Sequence, residues 1–181
     1  MRNAYEYMTH YGQLQDTAWL TRAMLRRGMI FHKGKRLTQV LRARELAAQD
    51  GAFWVEESGL RVHFRLPGDA APATPLEISA REQTFAPRER GLGFIRVSGF
   101  ALEHAAGPLP VPQHGSLSTA RGHHWIVEGC RVTWANGVGM DIGIQSWDSA
   151  PLGKSGHHII RRNAISHVGI CGLAGALGVT H

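Results

Sequence analysis

Only four carboxylates lie beyond Arg90: Glu103, Glu128, Asp141 and Asp148. Acid–base chemistry in this half of the chain must draw on them or on histidines. Asp141 sits in Val138-Gly-Met-Asp-Ile-Gly-Ile-Gln145. Strand alternation predicts Val138, Met140, Ile142 and Ile144 facing a core, with Asp141 and Gln145 projecting outward. Gly139 and Gly143 carry no side chains and would leave a bare trough around Asp141, wide enough for a sugar ring. The plainer alternative is a surface aspartate on a Gly-rich strand. Asp148 follows Trp147 in the next loop. Two neighbouring carboxylates suit glycoside hydrolysis, in which one protonates the leaving oxygen and the other attacks or activates water; the alternative for Asp148 is a loop cap. Trp134 and Trp147 are candidate platforms for the C–H face of a pyranose, although Trp134 could equally cover the end of a core. Asn136 and Gln145 could bond hydroxyls. The pairs His123/His124 and His157/His158 each open a strand. Alternation turns one of each pair outward, and His124 and His158 are candidate substrate contacts. No third ligand completes a metal site, and no cofactor is expected. Glu128, in a turn, and Glu103, in an outward column, are expected to be solvated.

Three similar segments must position these groups: Ile95–Ala105, Trp125–Ala135 and Ile159–Val168, the last with one residue deleted. Aligned, they place Leu102, Val132 and Ile165 in one column. Phe100, Cys130 and Asn163 share a second, Glu103, Thr133 and Ser166 a third, and His104, Trp134 and His167 a fourth. Short β-runs repeating at this spacing, with Gly or Asn at turns, read as a solenoid whose passes stack in register. Leu102, Val132 and Ile165 would form an interior ladder, and Asn163 a turn hydrogen bond. The loops Gly107–Gly122 and Ser146–His157 would lie on one rim. An antiparallel sandwich explains the strands but not the repeated His-His-apolar-apolar openings.

The preceding residues have another character. A short helix is predicted near 16–27, ended by Gly28. Residues 28–66 read as short strands, with a turn at Lys33-Gly34-Lys35. The run Leu60–Leu66 alternates apolar and charged residues and pairs with Ala52–Val55 as a hairpin. Residues 41–50 hold one helical turn. The segment 67–75 is a Pro-rich linker. The chain thus parses as an N-terminal segment (1–27), a small antiparallel β subdomain with linker (28–75), and solenoid coils (76–181). The expected fold is mostly β: a right-handed parallel β-helix of about three coils behind that subdomain.

Composition bounds the function. The 181 residues are 43% hydrophobic and 19% charged, which excludes a disordered tail. No apolar run is long enough for a transmembrane helix, and Met1–Leu20 does not read as a signal peptide. The formal charge of +6 is nearly all Arg. It suits an acidic polymer, or it is Arg scattered over a surface. No nucleic-acid signature accompanies it. Cys130 and Cys171 lie in apolar stretches and read as buried thiols, with a disulfide left open.

The runs Arg121–Gly143 and Gly156–Gly175, with Gly51-Ala-Phe-Trp-Val55 and Leu60–Gly68 before them, resemble bacterial right-handed β-helix proteins of the pectin-lyase-like superfamily. The nearest group resembles the glycoside hydrolases of family 141. The resemblance implies hydrolysis of a plant or microbial glycan, with carboxylates on the outer face of one parallel sheet; Asp141 is the residue carried over to that role. It also implies a secreted or periplasmic protein, where the missing leader would otherwise suggest the cytoplasm. Relatives of this kind have many more coils, so the chain is expected to be a fragment, inactive alone, whose open edges offer surfaces for self-association. The alternatives are a β-helix that binds glycan without cleaving it, and a polysaccharide lyase, which needs an acidic substrate and a Lys or Arg base. Nucleic acid and membrane are not expected partners.

Overall fold

The structure, a computed structural model, describes residues 28–73, 75–107, 114–143, 155–169 and 171–174. The helix expected near 16–27 lies outside them. Contacts divide the chain into two compact units between Ala80 and Arg81. No helix among the described residues is long and apolar enough to cross a membrane.

The first unit is built from two small sheets. β1 (Ile30–His32) and β2 (Lys35–Arg36) form a hairpin, and β1 pairs on its other side with β6 (Leu76–Ile78), both antiparallel. Lys33 and Gly34 both have positive φ, 51° and 71°, as a two-residue turn matching strand twist requires. β3 (Thr38–Gln39) runs parallel to β4 (Ala52–Val55), which pairs antiparallel with β5 (Val62–Arg65). A six-residue helix, α1 (Ala43–Ala48), occupies the stretch where one helical turn is expected. Ile30, Leu37, Phe53 and Leu66 form the core of this unit. The inward alternation expected over Leu60–Leu66 is not kept: β5 begins only at Val62, Leu60 is 87% exposed, and Phe64 within the strand is exposed too. β6 pairs with β1, so residues 76–80 group with this unit rather than with the coils.

The second unit repeats one pattern. β7 (Arg96–Ser98), β10 (Ile126–Glu128) and β13 (Ile159–Arg161) form one parallel sheet with β10 central. β8 (Ala101–Ala105), β11 (Arg131–Ala135) and β14 (Ala164–Val168) form a second around β11. β9 (Gly115–Ser118), β12 (Val138–Asp141) and β15 (Cys171–Ala174) form a third around β12. Each strand hydrogen-bonds to its counterparts on neighbouring passes, the wiring of a parallel β-helix-like fold. Val132 pairs directly with Leu102 and Ile165, as the repeat alignment predicts. Leu102 and Val132 are buried beside Val97, Leu117, Trp125, Val127, Cys130 and Met140, and Ile165 packs on the same cluster.

The passes bend at matching positions. Phe94, His124 and His157 have φ of 60°, 54° and 58°; His104, Trp134 and His167 have 65°, 55° and 53°. Such left-handed backbone is uncommon outside glycine. Its recurrence at equivalent positions of successive passes is the geometric mark of the repeat. Between them lies a third set, Gly99, Gly129 and Arg162.

Four expectations are corrected. The stretch Gly107–Gly122 is not all loop, because Gly115–Ser118 is a buried strand of the third sheet. The repeat alignment starts Trp125 against Ile159, but Ile126 is the residue that pairs with Ile159. His124 stacks on His157 at 4.8 Å, while His123 lies opposite Gly156 and His158 beside Trp125. Pairing of Val127 with Ile160 sets this register, since a one-residue slip would turn the apolar side chains out. Glu128 is not solvated: it is buried, bonded by Arg161 Nε at 2.7 Å and by Arg96. Those two guanidinium groups, Arg161 first, hold its carboxyl below the usual carboxylate range. Glu103, half-buried, pairs with Arg131 at 2.8 Å.

Candidate functional site

The third sheet carries the candidate site. β12 is buried at all four residues, so the alternation expected of it fails. Gly139 is no trough, because a Cβ there would lie 2.7 Å from Ile165 Cγ2. Asp141 does not project into solvent either. It is 4% exposed, and both its oxygens accept hydrogen bonds, Oδ2 from Gly115 N at 2.6 Å and Oδ1 from Ser118 Oγ at 2.8 Å. The polar partners on β9 allow the carboxyl to turn inward, since a buried charge is tolerated where donors meet it. Burial pushes the Asp141 carboxyl above its ordinary range. The bonds from Gly115 and Ser118 and the nearby His114 pull it partly back.

Asp141 forms part of the lining of a shallow cleft of about 160 Å³. Around it stand Arg88, Arg90, His114, Ser118 and Arg121, with Gly143 at one side. Gln83, also in the lining, is fixed by its own bond to the Gly115 carbonyl at 3.0 Å. Arg88 and Arg90 are exposed and Arg121 is buried. No second carboxylate lines the cleft among the described residues. Among those residues, no three His, Cys, Asp or Glu side chains are grouped to hold a metal.

The other sequence candidates scatter. Asn136 is buried and donates to the Gly107 carbonyl at 3.2 Å, a structural bond. Trp134 stacks on His167 with ring centres 4.1 Å apart. His124 has ring neighbours on two sides, Phe94 and His157, each at 4.8 Å in a stacked arrangement. His158 accepts from Trp125 N at 3.3 Å through Nδ1, and its Nε2 is buried. Burial holds the His158 imidazole below its ordinary value. None of these four lines the cleft of Asp141. Gln145, Trp147 and Asp148 lie outside the described residues. Cys130 is a buried free thiol.

No family model and no curated protein matches the chain. A solved structure of XylC in complex with xylose does, with a TM-score of 0.66 and 22% identity. The match covers 82% of this chain and 32% of that one, so this chain spans about a third of that protein's length. At this identity the likeness speaks for the fold.

The repeat alignment does not reach most of the cleft. Arg88, Arg90 and His114 precede or interrupt the repeated segments, so no alignment column flagged them. His114 had one readable signal: it opens the run His-Gly-Ser-Leu-Ser118, which resembles a strand once the third sheet is known.

Proposed function

We propose that the second unit is part of a right-handed parallel β-helix of about three coils, and that it binds a carbohydrate in the cleft over Asp141. One observation carries this reading: a buried carboxyl with raised proton affinity sits in a cleft among arginines and a histidine, on strands held in register by the coil. Perturbed carboxyls in clefts mark functional sites more often than bare surface does. The sugar-bound neighbour supports a carbohydrate as the ligand class.

Binding without cleavage is the form that this geometry favours. Canonical hydrolysis uses two carboxyls roughly 5–9.5 Å apart, and Asp141 stands alone among the described lining residues. Its oxygens are also both engaged by Gly115 and Ser118. A second reading rests on the same carboxyl. Burial favours its protonated form, which is the form a general acid needs, and Asp148 would then be its partner. This is the glycoside hydrolase of family 141 type that the sequence resembles.

The test is titration of the protein with a panel of neutral and acidic oligosaccharides, followed by product analysis. Saccharide binding with no new reducing ends supports the binder. Reducing ends that disappear in Asp141→Asn support the hydrolase, and unsaturated products would indicate a lyase. Failure to bind any member of the panel contradicts the proposal.

A further inference from the structure

Two ring nitrogens meet just before β10, away from the lining of the Asp141 cleft. His123 Nδ1 and His124 Nδ1 are 2.9 Å apart. Consecutive residues of an extended strand point to opposite faces. Here His124 has a φ of 54°, and that left-handed bend brings the two imidazoles together. Their planes stand at 90° with ring centres 5.1 Å apart, close to the greatest separation that a 2.9 Å nitrogen contact permits. The two Nδ1 atoms therefore face each other head-on. Without a cation, one carries a proton and the other accepts it.

The neighbours fix both rings and leave the space between the nitrogens to them. A Cβ on Gly93 would collide with the His123 ring, so only glycine leaves room for it there. His123 also meets Phe94 edge-on at 5.3 Å. His124 is exposed and lies between Phe94 and His157, stacked on each at 4.8 Å. A ring between two near-parallel rings can slide in its own plane while keeping both stacks. The lone pairs of an imidazole lie in its plane, so the stacked His157 aims none at the pair. Among the described residues, no third His, Cys, Asp or Glu joins the two to hold a metal.

Two opposed imidazole nitrogens are the donor set of a linear two-coordinate ion. We infer that His123 and His124 form a site for a soft monovalent cation, Cu(I), held between their Nδ1 atoms. Imidazole suits copper, whereas Zn2+ takes four ligands and would lack two of them here. Imidazole–metal bonds of about 2 Å require the nitrogens to part by roughly 1 Å, which the sliding of His124 allows. The proton on one Nδ1 moves through solvent to Nε2 of the same ring. Both rings stay neutral, and no electron is transferred. This site is independent of the carbohydrate reading.

The test is anaerobic competition for Cu(I) against the chelator bicinchoninate, with X-ray absorption on the loaded full chain. Wild type should take up one ion with a linear, two-nitrogen signature. His123→Ala and His124→Asn should each weaken that ion at least tenfold; Asn tolerates the left-handed backbone at 124. Any ion taken by the thiols of Cys130 and Cys171 is common to all variants and cancels in the comparison. His157→Asn removes a stack and no ligand, so its Cu(I) affinity should stay within about twofold of wild type. Urea transitions establish that each variant is folded. Zn2+ should bind wild type at least tenfold more weakly than Cu(I) does. Equal Cu(I) affinity in wild type and both ligand variants would overturn the inference. So would an equal loss in His157→Asn, a sulfur signature that persists in His123→Ala, or Zn2+ binding as tight as that of Cu(I).

Discussion

Asn163 fastens its pass of the chain to Cys130 on the pass before, its Oδ1 accepting from the Cys130 N–H at 2.9 Å. Its Nδ2 donates to the Val127 carbonyl, also at 2.9 Å. One side-chain amide thus ties two backbone groups of the neighbouring pass, at a bend where strand pairing lapses between β10 and β11.

Asn163→Ala leaves the Cys130 N–H and the Val127 carbonyl without this partner. The expected loss is about 1–3 kcal/mol, read as a lower urea midpoint at unchanged slope. Asn163→Asp keeps an acceptor for Cys130 but loses the donor to Val127, so its midpoint should fall between those of wild type and Asn163→Ala.

The two glycines Gly115 and Gly129 should respond differently to alanine. A Cβ on Gly115 would sit 2.4 Å from Asp141 N and 2.6 Å from both Leu117 O and Met140 C, all backbone atoms. Gly115→Ala must push two strands apart and should cost about 3 kcal/mol, the upper end for overpacking. A Cβ on Gly129 would meet only Gly99 N, at 4.0 Å, so the cost there comes from its φ of 61° alone. That cost is about 1–2 kcal/mol. Chemical denaturation of the two variants checks the order.

Acid should weaken the coil unit through His158. Burial holds its folded value below the ordinary 6.5, and His123, His124 and His157 act in the same direction. Between that lowered value and 6.5, the unfolded chain binds a proton that the folded chain does not. The stability contributed by neutral His158 is therefore complete above the ordinary histidine range and falls as pH drops through it. The slope from this one group cannot exceed about 1.4 kcal/mol per pH unit. His158→Asn keeps an acceptor near the Trp125 N–H and removes the titration. Urea midpoints at pH 8 and pH 5.5 should converge in the variant relative to wild type.

The legible parts of the molecule were those where side-chain chemistry and backbone period agree. Leu102, Val132 and Ile165 are apolar at matching positions, and matching positions are what strand pairing enforces. Asn163 stood out for the same reason, as an amide at a bend. Asp141 misled because alternation treats every polar residue as outward, while Ser118 and the Gly115 N–H supply donors that make an inward carboxyl tolerable. The histidine pairs misled because identical dipeptides invite alignment, whereas the register follows the buried Val127 and its neighbour Ile160. The cleft was hidden because Arg88, Arg90 and His114 belong to no repeat. Only the path of the chain brings them to Asp141.

Residues 33 apart are neighbours across the parallel strands of the last two passes. Thr133 and Ser166 are directly paired, with Oγ1 and Oγ 3.2 Å apart. Adjacent strands lie about 4.8 Å apart, within the usual Cα separation of about 4.4–6.8 Å for a disulfide. Thr133→Cys with Ser166→Cys should therefore cross-link under mild oxidation of the folded protein, as mass spectrometry of its peptides would read. Thr133→Cys with Ile165→Cys, one residue out of register with the second side chain turned to the core, should not. Equal cross-linking of the two pairs, or of neither, would contradict the stacked register and the cleft built upon it.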